Sequence, residues 1–208
     1  ETLVAPKGLK RLALKTPDAR PVCAVFAPPA TAEAPLGSLL TLLRLLDAAP
    51  ADHHTVLWLG DWSSLACSSC GGELKSITAA YSLLVEALRA VAPDLMARVQ
   101  VVVQSEAILG GPSDYWISVI NVGRHFQLQR VREVDESNDH AGQVVAGLMH
   151  VGDVLATGAS LLLCTPAHEA AHRLAADYYT ETGVTEIPVP AIQVLAPVSS
   201  ILKSAAPA

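Results

Sequence analysis

The sequence predicts an α/β protein built on a Rossmann-like, mostly parallel sheet flanked by helices, and three observations lead there. Four short β-rich apolar runs, Val22–Phe26, 55–60, Val99–Val103 and 160–164, are each separated from the next by at least one helical pattern. Between them, apolar residues recur at steps of three and four, the spacing of a helix that covers one face of a sheet. The chain has 208 residues, 51% of them hydrophobic and 16% charged, which is enough to bury a sizeable core and excludes disorder.

Taken in order, residues 1–20 carry Lys7, Lys10, Arg11, Lys15 and Arg20 among Pro6, Gly8 and Pro17, with no sustained apolar period; they read as a basic linker, and the globule is expected from 21 to 208. Leu74, Ile77, Tyr81, Leu84, Leu88 and Val91 form one helical stripe, closed off by Pro93. Tyr115, Val119, Val122 and Phe126 step by four, three and four after Gly111, Pro112 and Ser113, and Val144, Leu148, Val151 and Leu155 repeat the pattern. The proline-rich stretch 188–208 reads as strand and loop with a frayed end. No internal repeat is found.

Charge and composition exclude several function classes. The net charge of −6 divides into +3 for residues 1–20 and −9 for the remainder, which holds nine basic and eighteen acidic residues. With nine aromatic residues in all, such a body is a poor nucleic-acid surface, since phosphates need clustered cations and single strands need stacking platforms. Any contact with nucleic acid is therefore expected to be local or shared with a partner. No apolar run approaches the roughly 18 residues of a membrane span, so no membrane partner is expected. Four cysteines, at 23, 67, 70 and 164, are too sparse for a disulfide scaffold and point to a cytoplasmic protein. The chain begins without methionine or a leader pattern, which suggests that Glu1 lies inside a longer polypeptide.

Two motifs suggest chemistry by spacing alone. His168-Glu169-Ala170-Ala171-His172 has the HExxH pattern of zinc hydrolases, in which two histidines one turn apart hold the metal and the glutamate is the general base. A third ligand is lacking except for Glu181 or Glu186, and the same residues also make an ordinary helix start. In that reading Thr165 caps, Pro166 takes the first position and Glu169 pairs with Arg173. Cys67-Ser68-Ser69-Cys70 has CxxC spacing after a strand, compatible with a redox pair or with two small residues in a turn ahead of Gly71-Gly72. His53-His54 reads as a solvated turn, and no glycine-rich dinucleotide or phosphate-loop motif occurs.

Several segments, read together, resemble the catalytic domain of eukaryotic-type tyrosyl-tRNA synthetase. Gly60-Asp61-Trp62 is similar to the family's Ala-Asp-Trp, and Gly71-Gly72-Glu73-Leu74-Lys75-Ser76-Ile77 to its Gly-Gly-Asp-Leu-Lys-Lys-Ile. Ser105-Glu106-Ala107-Ile108, Asp114-Tyr115-Trp116 and Val119-Ile120-Asn121-Val122-Gly123-Arg124 continue the match in order, as do the stretch 139–153 and Leu174-Ala175-Ala176-Asp177-Tyr178. The resemblance covers about residues 21–204 and implies a Rossmann-like sheet with a helical connective insertion at about 105–135, ending at a KMSKS-like loop.

It also implies a site that has lost its chemistry. Tyrosine activation builds charge on a departing pyrophosphate, which positioned donors and cations must stabilise. Where the family's HIGH-type motif supplies histidine, this chain reads Pro29-Ala30-Thr31-Ala32-Glu33-Ala34-Pro35-Leu36-Gly37. The helix face that grips tyrosine through Tyr, Gln and Asp carries Ala146, His150 and Asp153, and the following Gly-x-Asp-Gln motif falls on 165–170, with Ala167 and His168 in the old pocket. Of the KMSKS-type loop only Lys203 and Ser204 remain, with Ser200 in place of the first lysine. No catalytic residue, metal ligand or cofactor is therefore expected in this chain.

The leading expectation is a non-catalytic copy of the tyrosine–tRNA ligase catalytic domain, the degenerate second half of a double-length, pseudo-dimeric enzyme. Its partner would be an active copy in the same polypeptide, which would hold ATP and magnesium. Tyr115, Trp116, Val119, Ile120, Val122 and Phe126 wrap more than one narrow stripe and are the expected interface, unless that helix is simply buried on all sides. The alternatives are a divergent domain that still binds an adenylate or another small ligand, and the zinc hydrolase.

Overall fold

The computed structural model describes residues 20–32, 36–134, 140–183 and 188–196. Among them β1 (Val22–Phe26), β2 (His54–Leu59), β3 (Val99–Val103), β4 (Leu161–Cys164) and β5 (Ala191–Val194) form one parallel sheet in the order β3-β2-β1-β4-β5. The four apolar runs are thus strands to within one residue of their expected ends, and β5 falls in the proline-rich stretch. In register, Ala24 lies between Val56 and Leu162, and Leu57 pairs with Val101. The chain winds outward from β1 in both directions, so a crevice opens at the carboxyl ends of β1 and β4.

Every residue of β1 and β2 is buried, as parallel strands covered on both faces must be. Alternation sorts them. Cys23, Val25, Leu57, Leu59 and Leu163 face α1 (Leu36–Asp47) and α3 (Leu74–Val91), which contribute Leu42, Leu46, Ile77, Tyr81 and Leu88. Ala24, Phe26, Val56, Trp58 and Leu162 face the other layer, made by α6 (Pro112–His125), α8 (Ala141–Thr157) and α9 (Pro166–Thr182). In α3 the stripe is buried from Ile77 to Leu88, while its end members Leu74 and Val91 are exposed.

Short helices complete the connections. α2 (Asp61–Ala66) follows β2, α4 (Pro93–Met96) precedes β3, and α5 (Gln104–Leu109) and α7 (Leu128–Arg132) flank α6. The helices α5 to α7 together run from Gln104 to Arg132. They are fastened to α9 by Arg130 on Asp177 and by His125 Nε2 to Glu181 Oε2 at 2.8 Å.

The expected interface needs correction here. Tyr115, Val119, Val122 and Phe126 are core residues, packed within this chain against Met149 and its neighbours, because steps of four, three and four place them on the inner face of α6. Of the six, only Trp116 and Ile120 reach solvent, at 36% and 60% exposure. The basic stretch before Arg20, Glu33 to Pro35 of the stretch compared with the HIGH-type motif, and Lys203 and Ser204 lie outside the described residues.

Small residues set the distance of α8 from α6 and from α2. A Cβ on Gly152 would stand 2.9 Å from Val119 Cγ2 and 3.5 Å from the Tyr115 ring, and one on Gly142 would stand 2.2 Å from the Ala66 carbonyl oxygen. Gly152→Ala is accordingly expected to destabilise the fold by about 1–3 kcal/mol, the range for overpacking a tight interior. Gly142→Ala, which meets backbone, is expected to cost at least as much; urea titration of both variants checks this.

Candidate functional site: the crevice at the carboxyl ends of β1 and β4

Phe26 closes β1, Thr165 follows β4, and α8 and α9 run past both ends, so the side chains at this edge come from four separate elements. Two clusters fill it.

The first is aromatic. His150 of α8 and His172 of α9 meet with His150 Nε2 2.8 Å from His172 Nδ1, and their ring centroids are 4.8 Å apart. Phe26 packs on both, with centroids at 4.9 Å and 5.4 Å. Two neutral imidazoles share one hydrogen bond in this way only if a single one of the facing nitrogens carries the proton. His172 is fully buried and its Nε2 has no hydrogen-bond partner. Desolvation pushes the His150 pKa down to about 3, with the charge of His168 acting in the same direction. His172 is also driven well below the usual imidazole value, first by burial and then by His150 and His168.

The second cluster surrounds Asp153, one turn further along α8. Its Oδ2 accepts from Gln104 Nε2 at 2.7 Å and its Oδ1 from the Tyr115 hydroxyl at 2.7 Å. Gln104, wholly buried, also donates to Ser63 Oγ at 2.8 Å and accepts from the Ser63 amide at 2.9 Å through Oε1. Burial raises the Asp153 pKa to about 7; Gln104, Tyr115 and the neighbouring Trp58 indole resist the rise, and the charge of Asp61 assists it. The Tyr115 phenol is raised by burial and then by the carboxylate it serves. Asp61 takes a structural role, accepting from the amides of Trp62 at 3.0 Å and Ser105 at 2.9 Å, so that it ties the starts of α2 and α5 together.

The residues singled out in the sequence are thus divided. His150 and Asp153 point into separate clusters, Ala146 is buried on α8, and Ala167 is exposed at the start of α9. His168 lies with Nδ1 3.5 Å from Thr165 Oγ1, and Thr165 occupies the cap position without a capping side-chain hydrogen bond. Glu169 is engaged by Arg173 Nε at 2.9 Å, as the ordinary helix reading expects. For the zinc alternative, no three His, Cys, Asp or Glu side chains among the described residues could together hold a metal ion, and His172 turns toward His150. Sequence reasoning missed Gln104, Phe26 and Trp58 as site residues. A lone glutamine between strand and helix has no periodic signal, and the other two read simply as strand hydrophobes.

A parallel 3-2-1-4-5 sheet with helices α5 to α7 after β3 and two long helices over the carboxyl edge defines a Rossmann-like domain. Within that class, it is structurally similar to tyrosyl-tRNA synthetases, as the sequence resemblance implies. The Leishmania major tyrosyl-tRNA synthetase in complex with tyrosinol superposes with a TM-score of 0.73 at 29% identity, over 86% of this chain and 32% of that one. The Aeropyrum pernix tyrosyl-tRNA synthetase also gives 0.73, at 24% identity over 86% and 53% of the two chains, and at that identity the likeness shows the fold alone. The Plasmodium falciparum tryptophanyl-tRNA synthetase shares the fold at a TM-score of 0.66 and 14% identity, over 85% and 49% of the chains. The chain spans about a third of the length of the Leishmania enzyme. No family model matches it, and no curated protein matches it by sequence.

The buried titrations predict a pH dependence with two opposed parts. The imidazoles have folded pKa values below the ordinary 6.5, so their contribution to stability is present above that value and is lost as pH falls below it. Asp153 is raised to about 7, so its contribution is present below the unfolded value near 3.8 and is lost as pH rises toward 7. Each unit of difference is worth about 1.4 kcal/mol. Asp153→Asn removes the opposing part, and its unfolding free energy between pH 7 and 5 is expected to fall more steeply on acidification than that of the wild type. Equal slopes in urea titrations across that range would contradict the assignment.

Proposed function

We propose that this chain is a synthetase-type catalytic-domain copy that no longer forms an adenylate and instead acts as a docking scaffold for a catalytically intact copy. The observation that carries the reading is the filled crevice. Phe26, His150 and His172 occupy the edge where open α/β sheets bind ligands, with the imidazoles held neutral by burial. Asp153, the residue matching the family's tyrosine-hydroxyl ligand, has both oxygens taken by Gln104 and Tyr115 of its own chain. A developing pyrophosphate requires donors or cations aimed at it; uncharged imidazoles supply no cation, and His172 Nε2, which has no partner, is fully buried. Arg173 is held by Glu169.

The docking half of the reading is supported by apolar side chains left exposed on the insertion. Leu109, Trp116, Ile117, Ile120 and Leu128 are 65%, 36%, 52%, 60% and 51% exposed, all on α5, α6 and α7. Trp116 is stacked on Trp62 with centroids 6.4 Å apart and planes at 21°, an arrangement that presents a rigid aromatic anchor. The same 86% of this chain corresponds to 32% of the Leishmania chain and 53% of the Aeropyrum chain, so the former is more than half as long again. A longer polypeptide of that kind leaves room for a partner copy, in which ATP, magnesium and tyrosine would be held. An acidic body with its apolar patch engaged would touch tRNA only indirectly.

Tyrosine-dependent ATP–pyrophosphate exchange by the 208-residue chain is expected to stay at background, and calorimetric titration with a tyrosyl-adenylate mimic is expected to give no heat; turnover would overturn the proposal. Ile120→Glu is expected to leave the chain folded and to weaken docking to an intact tyrosyl-tRNA synthetase copy by about 2 kcal/mol or roughly 30-fold. Val119→Glu, placing a charge in the core, is expected to unfold it.

A further inference from the structure

The Cys67-Ser68-Ser69-Cys70 segment forms the turn between α2 and α3, and its backbone is unusual. Four of five consecutive residues are left-handed: Ser68 at φ 56°, Cys70 at 51°, Gly71 at 73° and Gly72 at 74°. The two glycines take this conformation at no steric cost, but each of the non-glycine residues holds strain of about 1–3 kcal/mol. The strain falls on and between a pair of cysteines with CxxC spacing. Cys67 is exposed, Cys70 is half-buried against the α1–α3 core, and both are thiols. The remaining cysteines differ in kind. Cys23 and Cys164 are buried in β1 and β4, and desolvation pushes their thiols up to about 12 and about 11, where attack as thiolate is suppressed.

The turn also joins the two helices that hold the β1–α1 connection. From α2, Ser64 Oγ accepts the Ala30 amide at 3.1 Å; from α3, the Tyr81 hydroxyl donates to the Pro28 carbonyl at 3.1 Å, and the two hydroxyls meet at 2.9 Å. Cys70 is close enough for a charge on its sulfur to raise the Tyr81 phenol. A covalent link across the turn therefore restrains both supports of the β1–α1 connection at once.

We propose that Cys67 and Cys70 form a thiol–disulfide exchange site, oxidised by a small-molecule disulfide, and that closing it stiffens the connection between β1 and α1. The exposed Cys67 thiolate attacks the small disulfide, forming a mixed disulfide and releasing one thiol. Cys70 then displaces the second thiol and completes the Cys67–Cys70 bond. Two protein thiols lose two electrons and two protons in total, and the small disulfide is reduced to two thiols.

The test equilibrates the 208-residue chain with mixtures of reduced and oxidised glutathione, quenches with acid, alkylates, and reads intact mass and peptide maps. The expected product is two hydrogens lighter, with Cys67 and Cys70 bonded in one peptide and Cys23 and Cys164 alkylated only after denaturation. Cys70→Ser is expected to stop at a stable glutathione adduct on Cys67. Amide hydrogen exchange at Ala30 is expected to slow in the oxidised form. Unreacted thiols at every ratio, or a wild-type chain that stops at the mixed disulfide, would overturn the site; an unchanged Ala30 exchange rate in the oxidised chain would overturn the coupling.

Discussion

The Asp153 carboxylate is the constraint on which the rest of this structure depends. It lies inside the protein, where an unpaired charge is unaffordable, and so its environment must be arranged around it. Gln104 and Tyr115 answer it from α5 and α6, and Gln104 in turn reaches back to Ser63 of α2. One side chain thereby joins four helices across the carboxyl edge of the sheet. The close approach of α6 to α8 at Gly152 brings the Tyr115 hydroxyl within reach, and the bond it makes in turn favours that approach.

Beside this polar knot, the histidine pair and Phe26 complete the closure with carbon-rich groups. Scaffold and chemistry respond to different physical demands here. The sheet needs apolar strands and helices of matching faces, and those persist in the α1–α3 layer and in the α6–α8–α9 layer. Nucleotide chemistry needs unneutralised donors and cations facing an open space. A fold can retain the first while losing the second, and for this reason a shared fold does not by itself carry an activity. Side chains at 26, 150 and 172 occupy the edge between them.

Much of the architecture was legible in advance. The apolar runs marked four strands closely, because a strand buried on both faces needs continuous apolar sequence. The α3 stripe and the inner face of α6 followed from helical spacing. The error over Tyr115, Val119, Val122 and Phe126 shows the limit of that signal: spacing identifies which residues share a face, but it does not say whether the face meets this chain or another. Site residues were legible only in part. His150 and Asp153 were found through resemblance, whereas Gln104 was invisible, and His172 was read with His168 because one helical turn separates them. In the fold the two point to different partners.

The sequence alone determined the class of fold and the order of four strands and of the helices α3, α6 and α8. These are local properties, carried by periodicity and by the identity of single residues. Only the tertiary structure decided that His150 meets His172 across 22 positions, that Gln104 and Tyr115 share one carboxylate, and that Trp116 and Ile120 face solvent while their neighbours do not. Such pairings depend on how helices approach one another over the sheet, and that approach is set by the packing of all layers together.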